Sequence, residues 1–225
     1  MIIGNGLIAN LFRENDREKV VFFASGVSNS LETDKSAFLR EENLIRKTIK
    51  ENPNKIFIYF STCSIYDSSK NGSSYVNHKL KMEQIVEELA NQFLILRVSN
   101  AVGKGGNPNL LMNYLVNAFH QEKEITVHTL ATRNLIDADD VKNITLKFIN
   151  ENSFNKIINV AYLENFSTIQ ILEILEKHFN KTAKTSLVKS GQSYLISIPE
   201  AEAYFAENKL TEKKEYLLRI IKRYY

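Results

Sequence analysis

The chain has 225 residues, of which 44% are hydrophobic and 24% charged, so it is a folded domain and not a disordered, collagen-like or coiled-coil protein. Its 29 basic and 26 acidic residues leave a net charge of +3, too small and too evenly spread to indicate nucleic-acid binding. No apolar run approaches the roughly 18 residues of a membrane span, and the first residues lack the basic flank and cleavage site of a signal peptide. We therefore expect a cytoplasmic protein without membrane insertion. A single cysteine and four scattered histidines predict neither a disulfide nor a metal site.

The chain opens with a short apolar strand that runs through a glycine turn into a helix. Residues 4–9 read Gly-Asn-Gly-Leu-Ile-Ala and fit the G-x-G-x-x-[GA] pattern of dinucleotide-binding proteins. In that pattern the glycines let the backbone approach a pyrophosphate, and the helix N-terminus supplies amides to it. A purely structural glycine turn explains these six residues equally well. The candidate cofactor-binding residues are Gly4, Asn5, Gly6, Leu7 and Ile8.

Apolar runs alternate with amphipathic segments along most of the remaining chain. Buried strands are predicted over residues 2–3, 19–24, 56–60, 93–96, 125–127 and 157–160. Helices are predicted over residues 34–51, 73–90, 108–119, 139–150, 167–179 and 209–225. This alternation favours an α/β fold with a parallel sheet covered on both faces. We interpret the basic face of the last helix as solvated, with membrane contact as the minor alternative.

Three residues around the third strand form a candidate catalytic group. Thr62 lies at the end of that strand, and Tyr75 and Lys79 occupy positions i and i+4 of the next helix, which places both on one helical face. An ammonium beside a phenol favours the phenolate, which exchanges a proton with a substrate hydroxyl or carbonyl. A threonine hydroxyl at the neighbouring strand end would hold the same oxygen. The pair alone is common on helices, but its position after a glycine turn and a strand-end hydroxyl indicates catalysis.

In this order the motifs resemble the extended short-chain dehydrogenase/reductase family, the NAD-dependent epimerase/dehydratase proteins that act on nucleotide sugars. The resemblance covers nearly the whole chain and includes the glycine turn and the pair Tyr75 and Lys79. Its further motifs are Ala24-Ser25-Gly26 at a strand end, Asn43 in the following helix, residues 61–66, residues 97–103 and residues 133–141.

The resemblance implies a Rossmann-like, doubly wound parallel sheet with a small C-terminal α/β part that binds substrate. Residues 1–103 would form the cofactor-binding core, and residues 104–225 would be mainly substrate-binding while contributing some elements back to the core. It also implies NAD or NADP as cofactor, beside Ala24 and Ser25, with Lys79 on the nicotinamide ribose. Relatives usually form homodimers, and here the helices at 34–51 and 73–90 would pack into a four-helix bundle.

Two residues are implied near the diphosphate of the substrate. They are Asn100 and Arg133, and an arginine is well suited to bidentate phosphate binding. The alternatives are a strand-end cap for Asn100 and a surface ion pair for Arg133.

The sequence departs from the family pattern in three places. The glycine turn is one residue shorter and ends in Ala9 instead of glycine, which close helix–sheet packing tolerates. The strand that normally carries an acidic residue for the adenine ribose is missing, since the first acidic residue after Phe23 is Glu32, in a loop. The segment between Tyr66 and Tyr75 is also short. We therefore expect a fold shortened by about one βαβ module.

These features predict an NAD(P)-dependent ketoreductase or epimerase that acts on a nucleotide sugar by hydride transfer, in the synthesis of polysaccharide or glycan precursors. Dehydration is disfavoured because Cys63 and Ser64 replace the Asp-Glu that follows the catalytic threonine in dehydratases. Cys63 is either an acid/base or, as we favour, a buried structural residue. The rival hypothesis is a non-catalytic, Rossmann-like binding or regulatory protein that has lost full dinucleotide binding. A third alternative is that another chain completes the cofactor site.

Overall fold

The structure is a computed structural model that describes residues 1–105, 107–108 and 110–225. The strands are β1 (Ile2–Ile3), β2 (Val20–Phe23), β3 (Ile56–Thr62), β4 (Phe93–Val98), β5 (Asn100–Val102), β6 (Ile125–His128), β7 (Thr132–Arg133), β8 (Leu135–Asp137), β9 (Lys156–Val160), β10 (Phe166–Ser167) and β11 (Thr185–Val188). The helices are α1 (Leu7–Leu11), α2 (Lys35–Glu51), α3 (Ser74–Leu89), α4 (Leu111–His120), α5 (Ala138–Asn150), α6 (Thr168–Phe179), α7 (Pro199–Glu207) and α8 (Lys213–Tyr224). Short 3-10 turns cover Arg13–Asn15, Cys63–Tyr66 and Ser68–Lys70.

Five parallel strands form the central sheet in the spatial order β1, β2, β3, β4, β9. One row of paired residues crosses it from Ile3 through Phe23, Tyr59 and Ile95 to Ile157. The strands are apolar on both sides, as is typical of a parallel sheet that is covered on both faces. This confirms the predicted parallel α/β architecture.

Helices cover both faces of this sheet because successive strand residues point to opposite sides. On one face, α2 and α3 pack on alternate residues of the central strands. That cluster is Val21, Phe23, Phe57, Tyr59 and Ile95 with Ile45, Ile49, Met82, Ile85 and Val86. The other face packs against α5 and against Phe12, which directly follows α1. Its members include Phe12, Phe22, Ile58, Leu94, Leu96, Val141, Ile144 and Phe148.

The sheet ends at β1, which pairs with β2 and with no other strand in the described part of the chain. From β1 the chain passes through the five-residue α1 and the 3-10 turn Arg13–Asn15 directly into β2. A Rossmann sheet normally continues beyond its first strand. The prediction of a fold shortened by about one βαβ module is therefore confirmed.

A buried carboxylate at the start of α5, Asp140, binds side chains of α7 and α8. The hydroxyls of Tyr204 and Tyr216 each donate to Asp140 at 2.8 Å, and Arg219 donates to it at 2.7 Å. Burial raises the pKa of Asp140 in spite of these partners. The ring of Tyr216 also stacks on that of Tyr162, just beyond β9, with centroids 3.7 Å apart. These contacts hold α7 and α8 against α5.

Some predicted boundaries were wrong. Helix α4 begins at Leu111 instead of 108, because Leu110 donates to Asn107 in a preceding turn; position 109 lies outside the described residues. Helix α8 begins at Lys213 instead of 209, since Lys209 has φ +54° and cannot start a helix. Helix α7 and the strands β5, β7, β8, β10 and β11 were not predicted. Among the described residues no helix is long and apolar enough to cross a membrane.

Candidate active site

The predicted functional residues of the first half meet at one edge of the sheet. Gly4 follows β1, Ala24 follows β2, and Thr62 ends β3. Because parallel strands place their carboxyl ends at the same edge, these positions lie side by side. This is the edge at which open α/β sheets bind their ligands.

The glycine turn is built against the end of β2. Gly4 has φ +122°, and a Cβ at this position would lie 2.4 Å from the carbonyl oxygen of Ala24, so only glycine fits. Gly6 is exposed, and a Cβ there would meet nothing within 4 Å. The turn therefore leaves open space over its own backbone, and this geometry fits the pyrophosphate of a dinucleotide.

Two apolar residues behind the turn anchor it to the fold. Leu7 packs against Gly103, where a Cβ would come within 2.7 Å of the Leu7 side chain. Ile8 is partly buried against the larger core cluster. Both residues open α1, so they leave the exposed backbone of Asn5 and Gly6 facing solvent.

Thr62 caps the 3-10 turn Cys63–Tyr66. Its Oγ1 accepts a hydrogen bond from the Ser64 amide at 3.0 Å. A hydroxyl has one proton and two lone pairs, and within the described residues the Thr62 proton is donated to no acceptor. The structural role therefore uses a lone pair and leaves the proton available to a ligand oxygen.

Tyr75 is the second residue of α3, whose N-cap Ser73 accepts from the Val76 amide. Its side chain is buried in a small apolar cluster with Val27 and Val76. The partly buried Ile65 packs against this cluster. In the described part of the chain its hydroxyl has no hydrogen-bond partner, and it is not among the fully buried polar atoms that lack one. Among the described residues the Tyr75 hydroxyl is therefore unpaired, and it reaches solvent.

Lys79 lies one turn after Tyr75, and its amine is hydrogen-bonded into the protein. Its Nζ lies 3.0 Å from Glu41 Oε1, 3.0 Å from the Tyr59 hydroxyl and 3.4 Å from the Phe60 carbonyl oxygen. Only 3% of the residue is exposed. Among the described residues its hydrogen bonds do not include the Tyr75 hydroxyl. The catalytic and cofactor-binding roles of Lys79 stay predictions.

Glu41, at the centre of this cluster, was not anticipated from the sequence. Its carboxylate accepts from Tyr59 at 2.8 Å and from the Val27 amide at 2.7 Å, and it lies 3.0 Å from His78 Nε2. Burial opposes its ionisation, but the Lys79 charge and these hydrogen bonds outweigh burial and lower its pKa to about 2. No sequence signal distinguishes Glu41 from the charged residues around it.

The resemblance had pointed to a neighbouring residue instead. Asn43 is exposed on α2, whereas Glu41, two positions earlier, faces the sheet and is fully buried. The same cluster raises the pKa of Tyr59 well above its usual value, through burial first and then through the negative charge of Glu41. Tyr59 is therefore a neutral hydrogen-bonding phenol.

Asn100 is the first residue of β5, which pairs with β8. Arg133 is the last residue of β7, which directly precedes β8 in the chain. The Asn100 side-chain amide donates to the Asn134 carbonyl oxygen at 2.7 Å, as in the strand-end cap that was the alternative for it. Arg133 donates to the Thr132 carbonyl oxygen at 2.8 Å. Among the described residues Arg133 forms no ion pair, so its guanidinium is not neutralised there. Their contact with a substrate diphosphate stays a prediction.

Cys63, directly after Thr62, is a buried structural residue. Its Sγ lies 2.9 Å from the Arg97 carbonyl oxygen, and 1% of the residue is exposed. Burial raises the pKa of the thiol to about 12, against a smaller opposing effect of the Arg97 charge. The thiol therefore stays neutral and is a poor general acid or base near neutral pH.

The sequence of this chain matches one known protein family. The model of the NAD dependent epimerase/dehydratase family matches residues 4–161, from the glycine turn to the end of the central sheet. The chain belongs to this family, which confirms the resemblance seen in the sequence. It is thereby an NAD-dependent enzyme of the short-chain dehydrogenase/reductase type. No curated protein matches the chain significantly.

Solved structures share the fold. UDP-glucuronic acid 4-epimerase from Bacillus cereus, in complex with UDP-glucuronic acid and NAD, is 19% identical with a TM-score of 0.69, over 96% of this chain and 79% of that one. dTDP-glucose 4,6-dehydratase from Bacillus anthracis, in complex with NAD, is 16% identical with a TM-score of 0.67, over 97% and 78%. RMD from Pseudomonas aeruginosa, complexed with NADPH, is 13% identical with a TM-score of 0.69, over 91% and 80%. At these identities the likeness shows the fold alone.

The described residues fit the pyrophosphate of a dinucleotide better than its adenine ribose. The open glycine turn suits the pyrophosphate. For the adenine ribose, the described residues provide no strand beyond β1 and so no acidic residue at its end. The cofactor would therefore be held mainly by Gly4, Asn5 and Gly6 with the adjoining strand end at Ala24 and Ser25.

Proposed function

We propose that this protein is a ketoreductase or epimerase that acts on a nucleotide sugar in the cytoplasm, in the synthesis of polysaccharide or glycan precursors. The observation that carries the proposal is the pair of unused hydroxyl groups near the sheet edge beside the glycine turn. Tyr75 has an unpaired hydroxyl that reaches solvent, and Thr62 has a proton that no residue in the described part accepts. Both are required if a substrate oxygen is to be held and protonated there.

The proposed reaction exchanges one hydride and one proton with the sugar. When bound, the nicotinamide supplies or accepts the hydride at the sugar carbon. In ketone reduction the Tyr75 hydroxyl gives its proton to the oxygen of the same carbon, and in alcohol oxidation the Tyr75 phenolate takes that proton. Thr62 donates a hydrogen bond to the oxygen and so fixes it beside Tyr75. An epimerase would perform oxidation and then reduction on opposite faces of one carbon.

The second half of the chain supplies the proposed contacts with the diphosphate. Arg133 has a charge that no carboxylate in the described part neutralises, and a guanidinium binds phosphate oxygens through two parallel hydrogen bonds. Asn100 lies in β5, which pairs with β8 and so runs beside the Arg133 segment. Together they would hold the diphosphate of the substrate.

The proposal is tested by following NADH and NADPH absorbance at 340 nm with a panel of 4-keto nucleotide sugars. We expect Tyr75→Phe to lower kcat about 10²–10⁴-fold, because it removes the proton donor and keeps the ring packing. Tyr114→Phe is the matched control, since Tyr114 is an exposed residue of α4 outside the site. Equal activity of wild type and Tyr75→Phe would exclude this mechanism, as would no turnover of any substrate.

We also propose a homodimer in which α2 and α3 pack against the same helices of a second copy. The two helices lie side by side on one face of the sheet, joined at the surface by the ion pair Lys81–Glu42 at 2.6 Å. Leu39 of α2 and Leu89 of α3 are exposed, so part of the surface of these two helices is apolar.

A further inference from the structure

Acceptors from within the described protein surround the Lys79 ammonium, and the longest of the three contacts is that to the Phe60 carbonyl oxygen, at 3.4 Å. An ammonium has three N–H groups, and Lys79 has three acceptors around it: Glu41 Oε1, the Tyr59 hydroxyl and the Phe60 carbonyl oxygen. A ribose hydroxyl would have to displace one of them. The strongest of the three is the Glu41 carboxylate, because it carries a full opposite charge in a buried setting.

The Glu41 carboxylate is likewise surrounded by polar groups of the protein. Its Oε1 accepts from Lys79 and Tyr59, and its Oε2 accepts from the Val27 amide and lies 3.0 Å from His78 Nε2. The side chain is 0% exposed. The carboxylate is therefore fixed from two elements besides its own, and rotating it to release Lys79 would break several hydrogen bonds at once.

The backbone after β2 closes the cluster on a further side. A Cβ on Gly26 would lie 2.6 Å from both Glu41 Oε1 and Lys79 Nζ. Gly26 therefore lies directly against the ion pair, and the Val27 amide that follows is hydrogen-bonded to Glu41. Only 4% of the Lys79 side chain is exposed.

We propose that Glu41 confines the Lys79 ammonium to this closed cluster, so that Lys79 positions the Tyr75 helix and does not bind the cofactor ribose. Lys79 joins α3 to α2 through Glu41 and to β3 through Tyr59 and Phe60. Tyr75 lies one turn earlier on α3 and is held by the same connection. Glu41 and Lys79 are thus positioning residues, and Tyr75 and Thr62 remain the groups that touch substrate. This inference rests on the proposed function only for the role of Tyr75.

The first experiment is a double-mutant cycle of Lys79→Met and Glu41→Gln, read by urea unfolding and by NAD affinity. Each single change removes one charge of the buried Lys79–Glu41 pair and leaves the other without it, so each lowers the unfolding midpoint, and the double variant recovers part of the loss. We expect the double variant to bind NAD within about threefold of wild type. Lys81→Met is the matched control, because Lys81 forms the exposed pair with Glu42 on the same two helices. A double variant that regains stability but binds NAD tenfold more weakly would overturn the proposal.

The second experiment measures the accessibility of the amine directly. Reductive methylation of the folded wild-type protein, followed by peptide mass spectrometry, should leave Lys79 unmodified while Lys81 is methylated, with NAD absent or present. Methylation of Lys79 at the rate of Lys81 would contradict the closed cluster. If the wild type binds no NAD at all, the proposed function fails, whereas the unfolding cycle and the methylation still decide whether the cluster is closed.

Discussion

At the scale of single residues, Glu41 shows how a charged side chain is stabilised inside this fold. Removing one partner of a buried ion pair costs about 3–5 kcal/mol, since the remaining charge is left uncompensated. Exposed pairs such as Lys81–Glu42 contribute about 0–1 kcal/mol. Between α2 and α3 the buried pair Lys79–Glu41 therefore contributes more than the pair Lys81–Glu42.

The lowered pKa of Glu41 makes its contribution dependent on pH. The pKa falls from 4.5 to about 2 on folding, so the stabilisation is complete above pH 4.5 and is lost as the pH falls towards 2. We expect the difference in free energy of unfolding between wild type and Glu41→Gln to be large at pH 7 and to shrink steadily below pH 4.5. Urea titrations at a series of pH values measure it. A difference that stays constant down to pH 3 would show that Glu41 is not ionised in the folded protein.

The sequence identified the hydroxyl groups of the candidate site but not the environment of the lysine. The spacing of Tyr75 and Lys79 predicted that both lie on one face of α3, and in the structure both are buried. The acceptor of the amine depends on Glu41, in another helix, and on Tyr59, in a strand. Such contacts depend on tertiary packing, so no spacing rule along the chain reveals them.

At the scale of elements, the glycine turn combines two glycines with different physical requirements. Gly4→Ala would force a strained φ and a clash with Ala24, and we expect a clear fall in the unfolding midpoint. Gly6→Ala should leave the midpoint nearly unchanged, because Gly6 has φ −79° and its Cβ would project into open space. Thermal unfolding of the two variants makes the comparison. Equal destabilisation by both changes would contradict the described turn.

Elements were predictable where the local pattern was strong and unpredictable where it was weak. Helix α6 was predicted over residues 167–179 and begins at Thr168, where Ser167 and Gln170 form a capping box. Helix α7 was missed although Pro199 at its first position is a usual signal for a helix start. Strand β11 is largely exposed and pairs with β6 in a two-stranded sheet, so it lacks the apolar run that reveals a buried strand.

At the scale of the whole molecule, the outer surface of α2 and the last turn of α3 carry opposite charge. On α2 the exposed residues include Arg40, Arg46 and Lys50, whereas the end of α3 exposes Glu87 and Glu88. In the proposed four-helix bundle, α2 of one copy can meet α3 of the other. Opposite charges across such a contact favour association.

We expect light scattering at micromolar concentration to show a dimer that Leu39→Arg dissociates, because the change replaces an apolar side chain of the proposed interface by a charge that would have to be buried there. Leu187→Arg is the matched control, since Leu187 is similarly exposed but lies in β11, away from these helices. A monomeric wild type would exclude the bundle. Dissociation by both variants would place the interface elsewhere.

The missing βαβ module bears on cofactor binding by the whole chain. Loss of the strand beyond β1 removes the usual partner of the adenine ribose but leaves the glycine turn intact. If a second chain completes the site, tight binding would appear only in the oligomer. The turn alone should still fix the pyrophosphate.

Calorimetric titration with NAD(H) and NADP(H) shows directly whether this shortened chain binds a dinucleotide at its glycine turn. We expect micromolar binding of one cofactor per chain, and at least tenfold weaker binding by Gly6→Ala, whose added methyl group would occupy the space over the turn. Absent or millimolar binding by the wild type would show that the turn does not hold a dinucleotide, and so would micromolar binding that Gly6→Ala leaves unchanged.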